Sequence, residues 1–233
     1  HYTSRYIPTV AASTEVEIML DRTIKEIKKN TNKNITIAFD EWNTYVEANS
    51  PFFIENYNIA DAIYAASLLH ACINRGNIIT NTGIYHLVNV MGNYRIDKKK
   101  IWKTPTTLVL ELYTKFHKGK ILKSKVKCEI FESNKLGKQP HYKNNKLIDT
   151  AVTRNGDKIC MSVVNKSEKE IVKVLVSNLD KIIENYCIRG SNKVDLNDSK
   201  NLNKVKIEKN IIKIDKYVIN LPPHSVSVFI FKM

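Results

Sequence analysis

The sequence predicts a chain of two characters, an α/β unit with parallel strands followed by an all-β antiparallel sandwich. Up to about residue 120, segments with apolar residues at three- and four-residue spacing alternate with short β-branched runs, the pattern of helices laid between parallel strands. Beyond residue 120 the pattern changes to short apolar runs separated by Asn-Gly, Asn-Lys and Pro-Pro turn signals, as in a sandwich. At 233 residues with 43% apolar content, the chain has enough material for a packed core. The expected division is therefore residues 1–120 and residues 121–233.

Residues 1–6, with His1, Tyr2, Arg5 and Tyr6, read as a loop leaving an upstream strand, so the chain is expected to begin inside a domain. A helix is expected from Ser13 or Thr14. Glu15, Glu17 and Asp21 occupy its early turns, Val16, Met19, Leu20, Ile24 and Ile27 form one apolar face, and Lys28 and Lys29 lie at its end. Residues 35–39 read as a buried strand that ends in Asp40-Glu41-Trp42-Asn43. The stretch 44–57, with Pro51 and Phe52-Phe53, is long for a simple connection and is expected to wall a pocket.

Asn58 has Asp61 three positions on and is expected to cap a helix that is apolar on most sides and stops near Gly76. Residues 77–83 read as a second buried strand, completing a strand-helix-strand unit of a parallel sheet. Residues 98–103 read as a surface excursion. Thr104-Pro105 then opens a helix carrying Leu108, Val109, Leu112, Tyr113 and Phe116 and closed by Gly119. In the second part, strands are expected at 126–130, 148–152, 158–164, 171–176, 205–207, 211–214 and 225–231.

The formal charge of +14 invites a nucleic-acid reading, but the lysines are dispersed. Around 204–209 and 212–216 they alternate with apolar residues, as on the wet face of a sheet, and no arginine stripe or aromatic interleaving accompanies them. No nucleic-acid partner is expected, and the abundance of Asn and Lys reads as codon bias. No window holds the eighteen or so apolar residues of a membrane helix, so no membrane partner is expected. Cys72, Cys128, Cys160 and Cys187 lie far apart among apolar neighbours, which fits free thiols in a reducing cytoplasm better than disulfides or zinc. His70, His117, His141 and His224 lack partners at ligand spacing and read as structural or surface residues.

Chemistry concentrates at the end of the first strand. In open α/β sheets and barrels, reacting groups sit just past the last buried position of a strand, which makes Asp40 or Glu41 the candidate. The same pattern also suits carboxylates that are solvated or cap the next element. Trp42 suits stacking on a sugar or base, and equally a place in the core.

Phe39-Asp40-Glu41-Trp42-Asn43, then Asp61-Ala62-Ile63, Leu87-Val88-Asn89-Val90 and Thr104-Pro105 before a Leu112-Tyr113 helix, resemble in order and spacing the C-terminal part of family 51 glycoside hydrolases, the α-L-arabinofuranosidases. The resemblance covers nearly the whole chain. It implies that residues 1–120 are the last strands and helices of a TIM (β/α) barrel and that residues 121–233 are the family's C-terminal β-sandwich.

It also implies that Glu41 is the nucleophile of a retaining hydrolase acting on arabinose-containing oligosaccharides, with no metal or cofactor. Asp40 would then be a positioning or structural acid. His1 and Tyr2 match the family's sugar-binding His-and-aromatic motif, and His86 stands where glutamine usually precedes Leu-Val-Asn, as a sugar-binding residue or equally a loop histidine satisfied by its own surroundings. The acid/base glutamate, expected in an Asn-Glu pair at an earlier strand end, has no counterpart, because the sequence contains no Asn-Glu pair. The implied partners are the missing N-terminal barrel half and, at full length, further copies in a homo-oligomer, with a cytoplasmic location. From a different class, the chain would be a non-catalytic carbohydrate-binding or assembly module.

Overall fold

The computed structural model describes residues 5–44, 57–177, 181–212, 214–215 and 217–232. The chain enters through α1 (Tyr6–Ala11) and α2 (Ser13–Asn30). The loop expected up to residue 6 is corrected at its end: Tyr6 opens a helix, is buried, and donates its hydroxyl to Lys166 O at 3.2 Å. Pro8 near the helix start is tolerated because an N–H there has no partner to lose. Val16 and Leu20 turn the apolar face of α2 inward.

β1 (Ile37–Trp42) and β2 (Ile79–Ile84) pair in parallel, with Ile37 opposite Ile79 and Trp42 opposite Ile84. Between them runs α3 (Ile59–Ile73), opened by a reciprocal cap in which Asn58 Oδ1 accepts from Ala60 N and Asp61 Oδ2 from Asn58 N, both at 2.8 Å. The strands are less buried than the sequence suggests. Ala38, Asp40, Glu41, Thr80 and Asn81 are exposed, and among the described residues each of the two strands has one edge unpaired. A β-branched run meets the requirements of a strand before anything covers its second face.

The expected surface excursion is a hairpin of β3 (Tyr94–Asp97) and β4 (Lys100–Lys103), turned at Lys98 with positive φ. α4 (Pro105–Phe116) starts at the predicted Thr104 cap, whose hydroxyl accepts from Thr107 N at 3.4 Å.

The rest is β-structure: β5 (Lys120–Leu122), β6 (Ile130–Ser133), β7 (Tyr142–Lys146), β8 (Ile148–Asn155), β9 (Lys158–Asn165), β10 (Val172–Leu175), β11 (Ile182–Arg189), β12 (Lys206–Lys209), β13 (Ile214–Asp215), β14 (Val218–Leu221) and β15 (Ser225–Lys232). Six of these form one antiparallel sheet in the order β12-β11-β15-β9-β8-β5, and three form a second in the order β10-β14-β13. The strand expected at 126–130 is displaced to β6, and in the span expected at 211–214 residues 211 and 212 lie outside any strand while Ile214 opens β13.

Alternation along β9 and β15 sorts the core into two layers. Cys160, Val164, Val226, Val228 and Ile230 face a cluster that includes Leu68 of α3 and Val109 of α4. Ile159, Met161, Val163, Phe229 and Phe231 face Ile219 and Leu221 of the second sheet. The architecture is therefore α/β followed by a β-sandwich, with helices α3 and α4 packed on the outer face of its larger sheet. Each fully buried side chain such as Phe229 is worth roughly 1.5–3 kcal/mol of transfer free energy.

Candidate functional site

The C-terminal ends of β1 and β2 meet side by side. Asp40 and Glu41 are exposed there, whereas Trp42 is 5% exposed and belongs to the core. Its indole N–H donates to the Thr82 hydroxyl at 2.7 Å, so of the two readings of this tryptophan the structure selects packing over stacking on a ligand. Close approach of the strands depends on Gly83, where a Cβ would lie 2.9 Å from Asp40 O. The parallel pairing continues past the strands through Tyr85 N, which donates to Trp42 O at 3.0 Å.

His86 lies in the turn that follows. It is half-buried, its ring lies against that of Tyr85, and the peptide bond between them is cis. Its backbone N–H donates to Met91 O at 3.1 Å, and its carbonyl accepts from Asn93 N at 3.1 Å and Asn93 Nδ2 at 3.0 Å. Asn89 and Val90 take positive φ at the tip of this turn. Asn43 joins the turn to β1: Nδ2 donates to Tyr85 O and, at 2.7 Å, to Met91 O, while Oδ1 accepts from Thr44 N at 2.8 Å. The sequence alone gives Asn43 a place in the motif but no role.

Glu41 and His86 thus belong to the same end of the same strand pair. His1 and Tyr2, and residues 45–56 of the loop expected to wall a pocket, lie outside the described residues. A cleft of about 580 Å³ opens beside the strand end, lined by Arg5, Asn43, Thr44, Asp61 and Tyr64 together with the 136–139 turn between β6 and β7. A second, of about 430 Å³, lies between the β3–β4 hairpin and α4 and includes Tyr94, Trp102 and Leu202. Neither is walled by Glu41 or His86. Among the described residues no three His, Cys, Asp or Glu side chains gather as metal ligands.

A second polar cluster, legible in the sequence only as scattered residues, lies between α3, α4 and the larger sheet. Ser162 Oγ is 2.7 Å from both His70 Nε2 and His117 Nε2, the Tyr113 hydroxyl is 2.7 Å from His70 Nε2, and His70 Nδ1 faces Asp149 Oδ2 at 3.4 Å. Burial by itself raises the Asp149 carboxyl, but the charge and hydrogen bond of His70, the charge of Lys166 and the Thr150 amide outweigh it and bring it down to about 2. Burial, followed by the neighbouring charge of His70, pushes His117 down to about 3.

The order serine, histidine, aspartate is that of a nucleophilic triad, but Ser162 and His70 are wholly buried and Asp149 is 8% exposed. No substrate reaches them. The cluster pairs most of its polar groups where helices meet sheet, while His70 Nδ1 and Asp149 Oδ2 face each other as an ion pair with no closer hydrogen-bond partner, so His70 and His117 are structural as expected, with partners from distant strands. His224 is likewise structural, with its ring nitrogens 3.1 Å from Glu168 O and Gly190 O, and His141 is a surface residue beside Glu132.

The α-L-arabinofuranosidase C-terminal domain matches residues 40–225, a span that starts at Asp40. A probable α-L-arabinofuranosidase C from Aspergillus clavatus is 26% identical over 183 residues, covering 73% of this chain and 36% of its own length. An intracellular exo-α-(1→5)-L-arabinofuranosidase from Streptomyces lividans is 26% identical over 151 residues, 59% of this chain and 22% of its own.

Among solved structures, the arabinose complex of the Thermotoga maritima α-L-arabinofuranosidase superposes with a TM-score of 0.85 at 24% identity, over 98% of this chain and 50% of the other. The family 51 enzyme of Thermotoga petrophila gives 0.82 over 97% and 49%. At that identity these structures speak for the fold. The chain spans about a third or less of the curated relatives it matches and half of the solved chains. With the domain model matching 186 of its 233 residues (225 − 40 + 1), the chain belongs to the α-L-arabinofuranosidase C-terminal domain family.

Proposed function

We propose that this chain is the C-terminal portion of a retaining α-L-arabinofuranosidase and that Glu41 is its nucleophile. The observation that carries the reading is the position of Glu41: exposed, second in an acidic pair, at the carboxyl end of a strand in a parallel pair. In this role the carboxylate attacks the anomeric carbon of a terminal arabinofuranosyl unit and forms a glycosyl-enzyme ester. A second carboxylic acid roughly 5 Å away protonates the leaving oxygen and then activates water. His86 lies at the same strand end and donates to a sugar hydroxyl, with His1 and Tyr2 completing the contacts.

The second carboxylic acid is the one the family carries in an Asn-Glu pair, and this sequence has none. Loss of one member of a cooperating catalytic set costs several orders of magnitude in rate, so the chain by itself is inactive. The two unpaired strand edges and the exposed side chains Leu87, Val88 and Val90 suit an N-terminal half-barrel docked against β1 and β2. Substrates are arabinose-containing oligosaccharides or polysaccharides. The buried free thiols Cys72, Cys160 and Cys187 suit a cytoplasmic location, and the full-length protein is a homo-oligomer.

The same exposed surface favours the second reading, a module that binds glycan or partner protein without turning anything over. Release of nitrophenol from an aryl arabinofuranoside separates the two. The chain supplemented with the N-terminal half of a family 51 enzyme turns the substrate over and the chain alone does not. Tight sugar binding with no turnover in either mixture supports the module.

A further inference from the structure

We infer that Asn43 is a positioning residue, whose amide locks the turn carrying His86 onto the end of the strand carrying Glu41. The inference rests on the reading of Glu41 and His86 as parts of one sugar site.

A turn folded back on a strand end leaves carbonyls pointing inward, and each needs a donor. Here Tyr85 O and Met91 O, on the two limbs of the turn, both accept from Asn43 Nδ2. That nitrogen carries two hydrogens, so both are used. Because Oδ1 accepts from Thr44 N at 2.8 Å, the neighbouring backbone fixes which end of the amide is nitrogen. His86 is held between Met91 O and Asn93, and Asn93 O in turn accepts from Thr104 N at 2.9 Å and from the Thr107 hydroxyl at the start of α4.

An unbroken series of hydrogen bonds therefore runs from β1, two residues past Glu41, through the His86 turn to the first turn of α4. Alanine and serine cannot serve two carbonyls at this position, and ionised aspartate sets acceptors against acceptors. Asparagine is short enough to stay at the strand end and donates twice.

The test compares the 233-residue chain with Asn43→Ala, Asn43→Asp and, as a matched control, Asn145→Ala. Asn145 likewise spans two carbonyls, Phe131 O and Tyr142 O, each at 3.0 Å, but in the separate β6–β7 hairpin. Amide hydrogen exchange at Tyr85, His86 and Asn93 is expected to rise about tenfold or more in Asn43→Ala and to stay unchanged in Asn145→Ala. In Asn43→Asp the turn loosens at neutral pH and tightens again as the carboxyl protonates and regains one donor, a pH profile that a space-filling role does not produce.

Equal exchange in the parent and Asn43→Ala overturns the inference, as does the absence of that pH profile. Binding of an arabinofuranose-shaped iminosugar is followed in parallel, and about tenfold weaker binding by Asn43→Ala than by the parent is expected. Unchanged binding alongside accelerated exchange overturns the positioning role. If the parent itself binds no iminosugar while exchange behaves as expected, the lock stands and the sugar-site reading is what fails.

Discussion

The indole of Trp42 donates to the hydroxyl of Thr82 at 2.7 Å, across the parallel pair and one residue past Glu41. This bond ties together the two strand ends from which the proposed site is built. Thr82→Val keeps the shape and leaves a mostly buried N–H without an acceptor, at a cost of about 1–3 kcal/mol. Chemical denaturation of the variant checks it, with the midpoint expected to fall and the slope to hold.

Gly83 and Gly137 make a second, paired prediction. At Gly83 a Cβ meets the Asp40 backbone at 2.9 Å, so Gly83→Ala forces β1 and β2 apart and is expected to cost about 1–3 kcal/mol. At Gly137 nothing lies within 4 Å, but φ is +58°, so Gly137→Ala costs only the left-handed strain, on the order of 1 kcal/mol. Thermal melts of the two variants give the order.

Acid is expected to loosen the seam between helices and sheet in two stages. His117 is depressed from 6.5 to about 3, so between those values the unfolded chain binds the extra proton and stability falls as pH falls, by at most about 1.4 kcal/mol per pH unit. Asp149 is depressed from 3.8 to about 2, so its contribution is intact above 3.8 and is lost on further acidification. A melting series from pH 7 to pH 3 is expected to decline throughout, and His117→Gln is expected to flatten the upper part of the decline.

The thiols are graded by burial. Burial pushes Cys160 and Cys187 up to about 12, so both are un-ionised and shielded at neutral pH, whereas Cys128 is only half-buried. A thiol reagent applied to the folded chain is expected to modify Cys128 first and the other two only on unfolding, read by mass spectrometry.

Local rules made the helices of the first part legible. Asn58 with Asp61, and Thr104 with Pro105, are caps whose partners lie within three residues, and both helices begin where they say. β11 was not legible, although it sits between β12 and β15 in the larger sheet, because Glu184-Asn185 interrupts its apolar run. The structure accepts that pair because Asn185 O receives Asn210 N at 2.7 Å and Asn185 Oδ1 receives Ile212 N at 3.2 Å, partners some 25 residues away in sequence.

The abundance of asparagine had a structural content that composition hides. Asn43, Asn145, Asn165 and Asn197 each serve at least two backbone carbonyls. The seam of His70, His117, Asp149 and Ser162 was equally invisible, since helix α3, the end of α4 and two strands must come together before those side chains have partners. At the candidate site the strand end and its acidic pair were readable from the motif. The inward turn of Trp42 was not, because strand alternation slips at a register shift between Phe39 and Trp42.

The most direct measurement is covalent trapping. The chain is combined with the N-terminal half of a family 51 arabinofuranosidase, treated with a fluorinated aryl arabinofuranoside that stalls at the ester, and digested for mass spectrometry. One glycosylated peptide is expected, with the sugar on Glu41, and no label in Glu41→Gln. A sugar carried on any other carboxylate, or turnover that survives Glu41→Gln, contradicts Glu41 as the nucleophile.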